Sequence, residues 1–159
     1  SILKDTLRLN HCDNVIATQA AVSDKEDTAT FFVSHVEGGN SNSLVKNRLQ
    51  GESDKYDVKL VTIDSSVQKY LLQPSVIKID AEGVELDVLK GGVKTFKQFK
   101  PILILGLHPE FINLKGDSLE AIWELLADAG YQLKRGEIIF SKSFFCNQTQ
   151  LFEVHCLPG

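Results

Sequence analysis

The segment Val76-Ile77-Lys78-Ile79-Asp80-Ala81-Glu82-Gly83-Val84-Glu85 runs from an apolar strand into three carboxylates, a glycine and a helix. Acids at the mouth of a strand are costly to leave unpaired, and in open α/β sheets ligands bind beyond the carboxyl ends of the strands. They are therefore helix-capping groups or the polar part of a site. Asp80 ends the strand. It either caps a helix starting near Glu82, whose dipole favours its charge by about 0.3–1 kcal/mol, or it faces a ligand. Glu82 and Glu85 lie three apart and can share a helix face. Glu82, nearer the strand mouth, is a site residue or an N-terminal helix acid; Glu85 reads as a solvated helix acid. Lys78 is one alternation from Asp80 on the same strand face. A buried lysine needs a partner, for which Asp80 and Asp64 are the candidates. His108 follows a second strand end. A histidine there can take a proton from a hydroxyl group or simply bond to nearby backbone. His11, His35 and His155 have no comparable context, and nothing spaces them as metal ligands.

The elements that must position these residues follow from apolar spacing. Ile2, Leu3, Leu7 and Leu9 mark an amphipathic helix, and Val15 to Val22 reads as a buried strand. Strands are expected over Thr28 to Val33 and Tyr56 to Ile63, separated by a long loop over 34–55 of the kind that often forms a lid. Asp64-Ser65-Ser66 offers an N-cap for a helix through Leu72, which Pro74 stops. Ser75 to Asp80 is the strand that delivers Asp80. A helix from Val84 to Phe99 buries Leu86, Leu89, Val93 and Phe96, and Gly91-Gly92 kinks or splits it. Pro101 to Leu107 is a continuous apolar run, the mark of a strand covered on both faces, and His108-Pro109-Glu110 begins a loop. Asp117 with Glu120 forms a capping box for a helix over Ser118 to Ala129, with Leu119, Ile122, Trp123 and Leu126 as its buried stripe. Tyr131 to Leu133, Ile138 to Phe140 and Leu151 to Val154 are short strands, the last two expected to pair as an antiparallel hairpin. The alternation predicts an α/β fold, a mostly parallel sheet with helices on both faces and an antiparallel C-terminal edge.

The 159 residues suit a single domain. A net charge of −4 argues against nucleic acid, whose binding needs a basic face, and leaves no polybasic handle for a membrane. No apolar run reaches the length of a membrane span. Cys12, Cys146 and Cys156 form no CxxC pair, so no metal is expected, and reduced thiols suit a cytoplasmic protein.

Lys78-Ile79-Asp80-Ala81-Glu82-Gly83-Val84-Glu85-Leu86-Asp87-Val88-Leu89-Lys90-Gly91-Gly92 closely resembles "KIDVEGAELEVLKG", the signature of the FkbM-type methyltransferases, which use S-adenosylmethionine. Ala20-Ala21-Val22-Ser23-Asp24 is similar to that family's "AAVGD", and Val61-Thr62-Ile63-Asp64-Ser65 to its "VTLDS". Pro101-Ile102-Leu103-Ile104 through His108-Pro109 is similar to "PxILxExHP". The resemblance implies a partial Rossmann-like methyltransferase fold with Asp80 at the end of the central strand, near the transferable methyl group. It implies a small-molecule acceptor, a hydroxyl of a sugar or natural product, beside His108. It also implies that Ala20 and Ala21 admit the adenine, or pack tightly, and that Asp24 bonds the adenine amine, or makes a turn. Gly39-Asn40-Ser41 is an acceptor-side loop or ordinary turn chemistry.

This sequence departs from the pattern at Gly106, where the family carries an acid. The family's first strand and glycine-rich loop, and the acidic end of its second strand, would precede Ser1, so the expectation is one methyltransferase-like domain truncated at its N-terminus. The expected function is O-methyl transfer, with Asp80, Glu82 and His108 as catalytic candidates and Ala20, Ala21, Asp24 and Asp80 at the cofactor. The alternative is a non-catalytic remnant or interaction module. A metal-assisted phosphoryl transferase built on Asp80 and Glu82 ranks last, because no phosphate-cradling glycine loop is present. Oligomeric state is left open.

Overall fold

The structure, a computed structural model, describes residues 2–34 and 53–159. The long loop around His35 and Gly39-Asn40-Ser41 lies outside the described residues. A first helix, α1 (Ile2–Leu9), forms as its spacing predicts, but none of its residues is buried. The chain then extends to a three-stranded sheet of β1 (Ala21–Val22), β2 (Asp27–Ser34) and β3 (Ser53–Val61) in the order β1-β3-β2. The strand predicted over Val15 to Val22 shrinks to two residues, and Val15 and Ile16 are exposed. Among the described residues, only Ala21 and Val22 of this stretch find a strand partner, in Leu60 and Val61 of β3.

Helix α2 (Ile63–Lys69) follows. Its N-cap is Thr62, not Asp64: the Thr62 hydroxyl accepts from Ser65 N–H at 2.9 Å, completing a capping box. Asp64 instead reaches another helix, accepting from Thr95 N–H at 2.8 Å and from the Thr95 hydroxyl at 2.7 Å. A residue with a cap-forming side chain has thus been recruited to tie two helices together.

The larger sheet has the order β4-β5-β8-β6-β7, from β4 (Val76–Asp80), β5 (Ile102–Leu107), β6 (Tyr131–Arg135), β7 (Ile138–Ile139) and β8 (Phe152–Pro158). Strands β4 and β5 run parallel, while β5–β8, β8–β6 and β6–β7 are antiparallel. The sheets are therefore mixed, not mostly parallel. The last chain segment returns between β5 and β6, so β7 pairs with β6 and the expected β7–β8 hairpin does not form. Between the two strands expected to pair, residues 142–146 form α7 (Lys142–Cys146), capped by the Ser141 hydroxyl. Among the described residues β4 is an edge strand, not the central one.

One face of this sheet is buried. Leu103, Leu105, Val154 and Cys156 are fully inaccessible and join Leu89, Phe96, Ile122, Leu126 and Phe145 from the helices in a single core. Each such aliphatic side chain stabilises the fold by roughly 1.5–3 kcal/mol. The other face carries Lys78, Asp80, Ile104, Gly106, Glu153 and His155, in matching register. None of these except Gly106 is buried. The apolar run over Pro101 to Leu107 is thus covered on one side among the described residues, and Ile102 is exposed.

The helices between the strands split and cap as local chemistry dictates. The predicted long helix divides at Gly91-Gly92 into α3 (Glu85–Lys90) and α4 (Val93–Phe99). Helix α5 (Pro109–Lys115) replaces the loop expected after His108, because proline is pre-set for the first helical position. Helix α6 (Leu119–Asp128) is capped by the Ser118 hydroxyl, which accepts from Ala121 N–H at 3.2 Å. Asp117 pairs with Lys115 instead of capping. Among the described residues no helix is long and apolar enough to cross a membrane.

The core also makes a prediction about alkaline pH. Burial pushes the Cys156 thiol from 9.0 up to about 12. Burial, and then the neighbouring Cys156, pushes the Tyr131 phenol from 10.0 up to about 12. Both groups ionise earlier when unfolded, so the stability they contribute is complete below pH 9 and is lost as pH rises toward about 12. The Tyr131 hydroxyl donates to Pro101 O at 2.9 Å. Tyr131→Phe is expected to cost about 1 kcal/mol at neutral pH and to flatten the decline above pH 10. Urea midpoints measured across this range check it; a wild-type midpoint that stays level to pH 12 contradicts it.

Candidate active site

Strand β4 delivers Asp80 to the carboxyl end of the sheet, directly opposite Gly106 of β5. Asp80 does not cap a helix. The N-cap of α3 is Val84, with no side-chain bond, and the helix starts at Glu85 and not near Glu82. Lys78 Nζ instead donates to Asp80 Oδ2 at 2.9 Å. This is the predicted partner, but the pair is not buried: the two side chains are 56% and 48% exposed. Such a pair contributes roughly 0–1 kcal/mol of stability, so its value lies in aiming Asp80.

Gly106 makes the seat for that carboxylate. A Cβ built there would stand 3.0 Å from Asp80 Oδ1 and 3.1 Å from its Cγ. The residue at which this chain departs from the "PxILxExHP" pattern therefore leaves room for Asp80 to lie across its neighbour strand.

Beyond Asp80 the backbone makes a tight turn. Glu82 takes a left-handed φ of 52° and Gly83 a φ of 109°. Glu82, half-buried in this turn, does not share a helix with Glu85. The turn swings Glu85 inward. Its side chain is completely inaccessible, which overturns the expectation of a solvated acid. Both carboxylate oxygens are engaged: Gly83 N–H donates to Oε2 at 2.9 Å, and His108 Nδ1 lies 2.8 Å from Oε1. A buried carboxylate without such partners would be strongly destabilising.

His108 links the two strands' ends. It is the residue before α5, and its ring is 14% exposed. Nε2 lies 3.8 Å from Asp80 Oδ1, too long for a hydrogen bond but within ion-pair reach. Phe111, one turn along α5, stacks against the imidazole at 6.0 Å between centroids. Lys78, Asp80, His108, Glu85 and the Gly83 amide thus form one continuous polar line, running from the open sheet face into the core. A fixed charge and a ring able to move a proton are the components of general acid–base chemistry.

The other expected residues lie elsewhere. Ala20 and Ala21 are half-buried around β1, and Asp24 lies exposed in the following turn, where it accepts from the Ser23 hydroxyl at 3.3 Å. Ala21 belongs to the smaller sheet, with Ala20 just before it and Asp24 in the turn after it, whereas Asp80 and His108 meet at the end of the larger sheet. An open cleft of about 650 Å³ lies between α2 and α4, lined by Thr62, Gln68, Leu72, Lys94 and Gln98 among others. None of the candidate site residues lines it. The residue that sequence reasoning missed is Glu85. Its signal was present: Glu85 stands four residues before Leu89, on the same face of the helix as a core leucine. Among the described residues no group of three or more His, Cys, Asp or Glu side chains is arranged to hold a metal ion.

Comparison with proteins of curated function finds no match. Among solved structures, the crystal structure of methyltransferase FkbM from Methylobacillus flagellatus KT is similar, with a TM-score of 0.54 and 16% identity. That likeness covers 97% of this chain and 32% of the other, so this chain spans about a third of that protein's length. At this identity the likeness concerns the fold alone. The sequence carries the family assignment: residues 1–133, which include the whole Asp80–Glu85–His108 constellation, match the methyltransferase FkbM domain. On that match, extending over most of its length, the chain belongs to the FkbM methyltransferase domain family.

Proposed function

We propose that this domain serves S-adenosylmethionine-dependent O-methyl transfer to a hydroxyl group of a sugar or other small metabolite. The observation that carries the reading is the pairing of a half-exposed Asp80 with His108 at the mouth of two parallel strands, where α/β sheets bind ligands. The residues suit the cofactor: Asp80 is a half-exposed anion suited to a sulfonium cation, and Gly106 lets its carboxylate lie across the neighbouring strand at the open face. Asp80 would stand at the charged end of the donor, with Ala20, Ala21 and Asp24 toward its adenine. When bound, S-adenosylmethionine supplies an already activated methyl group, so the protein's part is mainly to orient two reactants.

The chain's own residues divide that work. Asp80, held by Lys78, acts as a fixed charge that orients and stabilises. His108 takes the acceptor's hydroxyl proton at Nε2, the ring atom that faces Asp80 and the open side of the sheet. The positive charge gained by the ring then lies between the carboxylates of Asp80 and Glu85. Glu82, in its left-handed turn next to the strand mouth, borders the acceptor side.

Calorimetric titration with S-adenosylhomocysteine tests the reading. Binding in the micromolar range, weakened in Asp80→Ala, is the expected result. Saturating ligand that produces no heat and no shift in melting temperature would favour the rival reading, a non-catalytic interaction module.

A further inference from the structure

We infer that Glu85 is a positioning residue that selects the tautomer of His108 and so decides which ring nitrogen can act as a base. The inference deepens the reading of this site as a proton-accepting one, and rests on that reading for its catalytic meaning. Its structural content stands on the hydrogen bonds alone.

The Gly83 amide fixes the first hydrogen bond. That N–H can only donate, and it donates to Glu85 Oε2. Taken as a carboxylate, Glu85 is acceptor-only, so Oε1 takes its hydrogen from its other neighbour. That neighbour is His108 Nδ1, at 2.8 Å. Nδ1 must therefore carry the hydrogen, and in the neutral ring the lone pair falls on Nε2. Nε2 is the nitrogen directed at Asp80, 3.8 Å away. The ring cannot easily turn over to exchange its nitrogens, because Phe111 stacks on it and the side chain is largely enclosed. Among the described residues the imidazole is thus faced by Glu85 from α3 and by Asp80 from β4, the latter held by Lys78. The inner carboxylate fixes the tautomer, and the outer one faces the atom that reacts.

An amide in place of the acid reverses this arrangement. Glu85→Gln keeps the shape but has one oxygen in place of two. The Gly83 N–H still demands that oxygen, so the amide NH2 turns toward His108. Nδ1 must then accept, and the proton moves to Nε2. The substitution therefore reverses the tautomer and occupies the nitrogen that was to serve as base. A similar reversal in a carboxylate–histidine pair lowers kcat by about 10⁴-fold.

The experiment is side-chain ¹⁵N spectroscopy of uniformly labelled chain over a pH titration, with the His108 signals assigned by their loss in His108→Gln. At the neutral end, wild-type His108 is expected as the Nδ1–H tautomer and Glu85→Gln as the Nε2–H tautomer. A wild-type ring in the Nε2–H form overturns the inference without need of any variant. So does a folded Glu85→Gln protein whose tautomer is unchanged. S-adenosylhomocysteine titrated into both proteins separates the two claims. If neither binds it while the tautomers behave as described, the methyl-transfer reading fails and the positioning role of Glu85 stands.

Discussion

Asp80→Ala is expected to lower methyl transfer by about 10²–10³-fold, the usual scale for removing one preorganised electrostatic group. The fold should barely change. Asp80 is half-exposed, and its pair with Lys78 is exposed too, so the expected stability loss is below about 1 kcal/mol. The freed space lies over Gly106 at the open face and can fill with water. This separation of effects makes Asp80 a better probe than His108. Removing the His108 ring strips the buried Glu85 of its partner, and an orphaned buried charge costs about 3–5 kcal/mol. Loss of activity in His108→Ala would then mix chemistry with unfolding. Steady-state kinetics on Asp80→Ala, with a melting curve on the same sample, gives the answer. Turnover within a factor of three of wild type, in a protein that melts normally, would remove Asp80 from the mechanism.

Gly83→Ala is expected to have the largest effect on stability of the single-atom changes near the site, about 2–5 kcal/mol from backbone strain and overpacking together. Two independent causes coincide. The backbone sits at φ 109°, where an L side chain is strained, and the added Cβ would stand 2.6 Å from Phe111 Cβ and 3.2 Å from its backbone carbon. The obstacle is partly backbone, so it cannot move aside cheaply. Any shift of the turn also displaces the amide that holds Glu85, and any shift of Phe111 disturbs the ring stacked on it. Gly116 provides the control. Its φ of 91° carries a similar strain, but nothing lies within 4 Å of a built Cβ. Gly116→Ala should therefore lose only the strain component, about 1–3 kcal/mol at most. Urea unfolding of both variants compares them directly; equal losses would mean that the contact with Phe111 contributes nothing.

Much of the site's surroundings was legible along the chain because it depends on near neighbours. The strand ending at Asp80, the splitting of the next helix at Gly91-Gly92 and the buried stripe of Leu119, Ile122 and Leu126 all follow from spacing and backbone preference. Capping was less legible. Thr62, Asp64 and Ser65 all have side chains able to cap, and only the nearness of Thr95 explains why Asp64 left the role to Thr62. The pairing order of the last strands was hidden for a related reason. Residues 152–158 gain a ladder on each side between β5 and β6, where the two-residue β7 would offer only a short one, and sheet order is a contest among distant partners.

The sequence by itself determined the family, the strand that ends in Asp80 and the glycine turn after it, because each is written in consecutive residues. Only the tertiary structure decided that Glu85 faces inward, that it meets a histidine 23 residues away and that Asp80 rests over Gly106. The physical reason is that a carboxylate's state depends on what lies across from it. Helix periodicity fixes which residues share a side, but the packing of α3, β5 and α5 against one another chooses whether that side meets water, leucine or an imidazole.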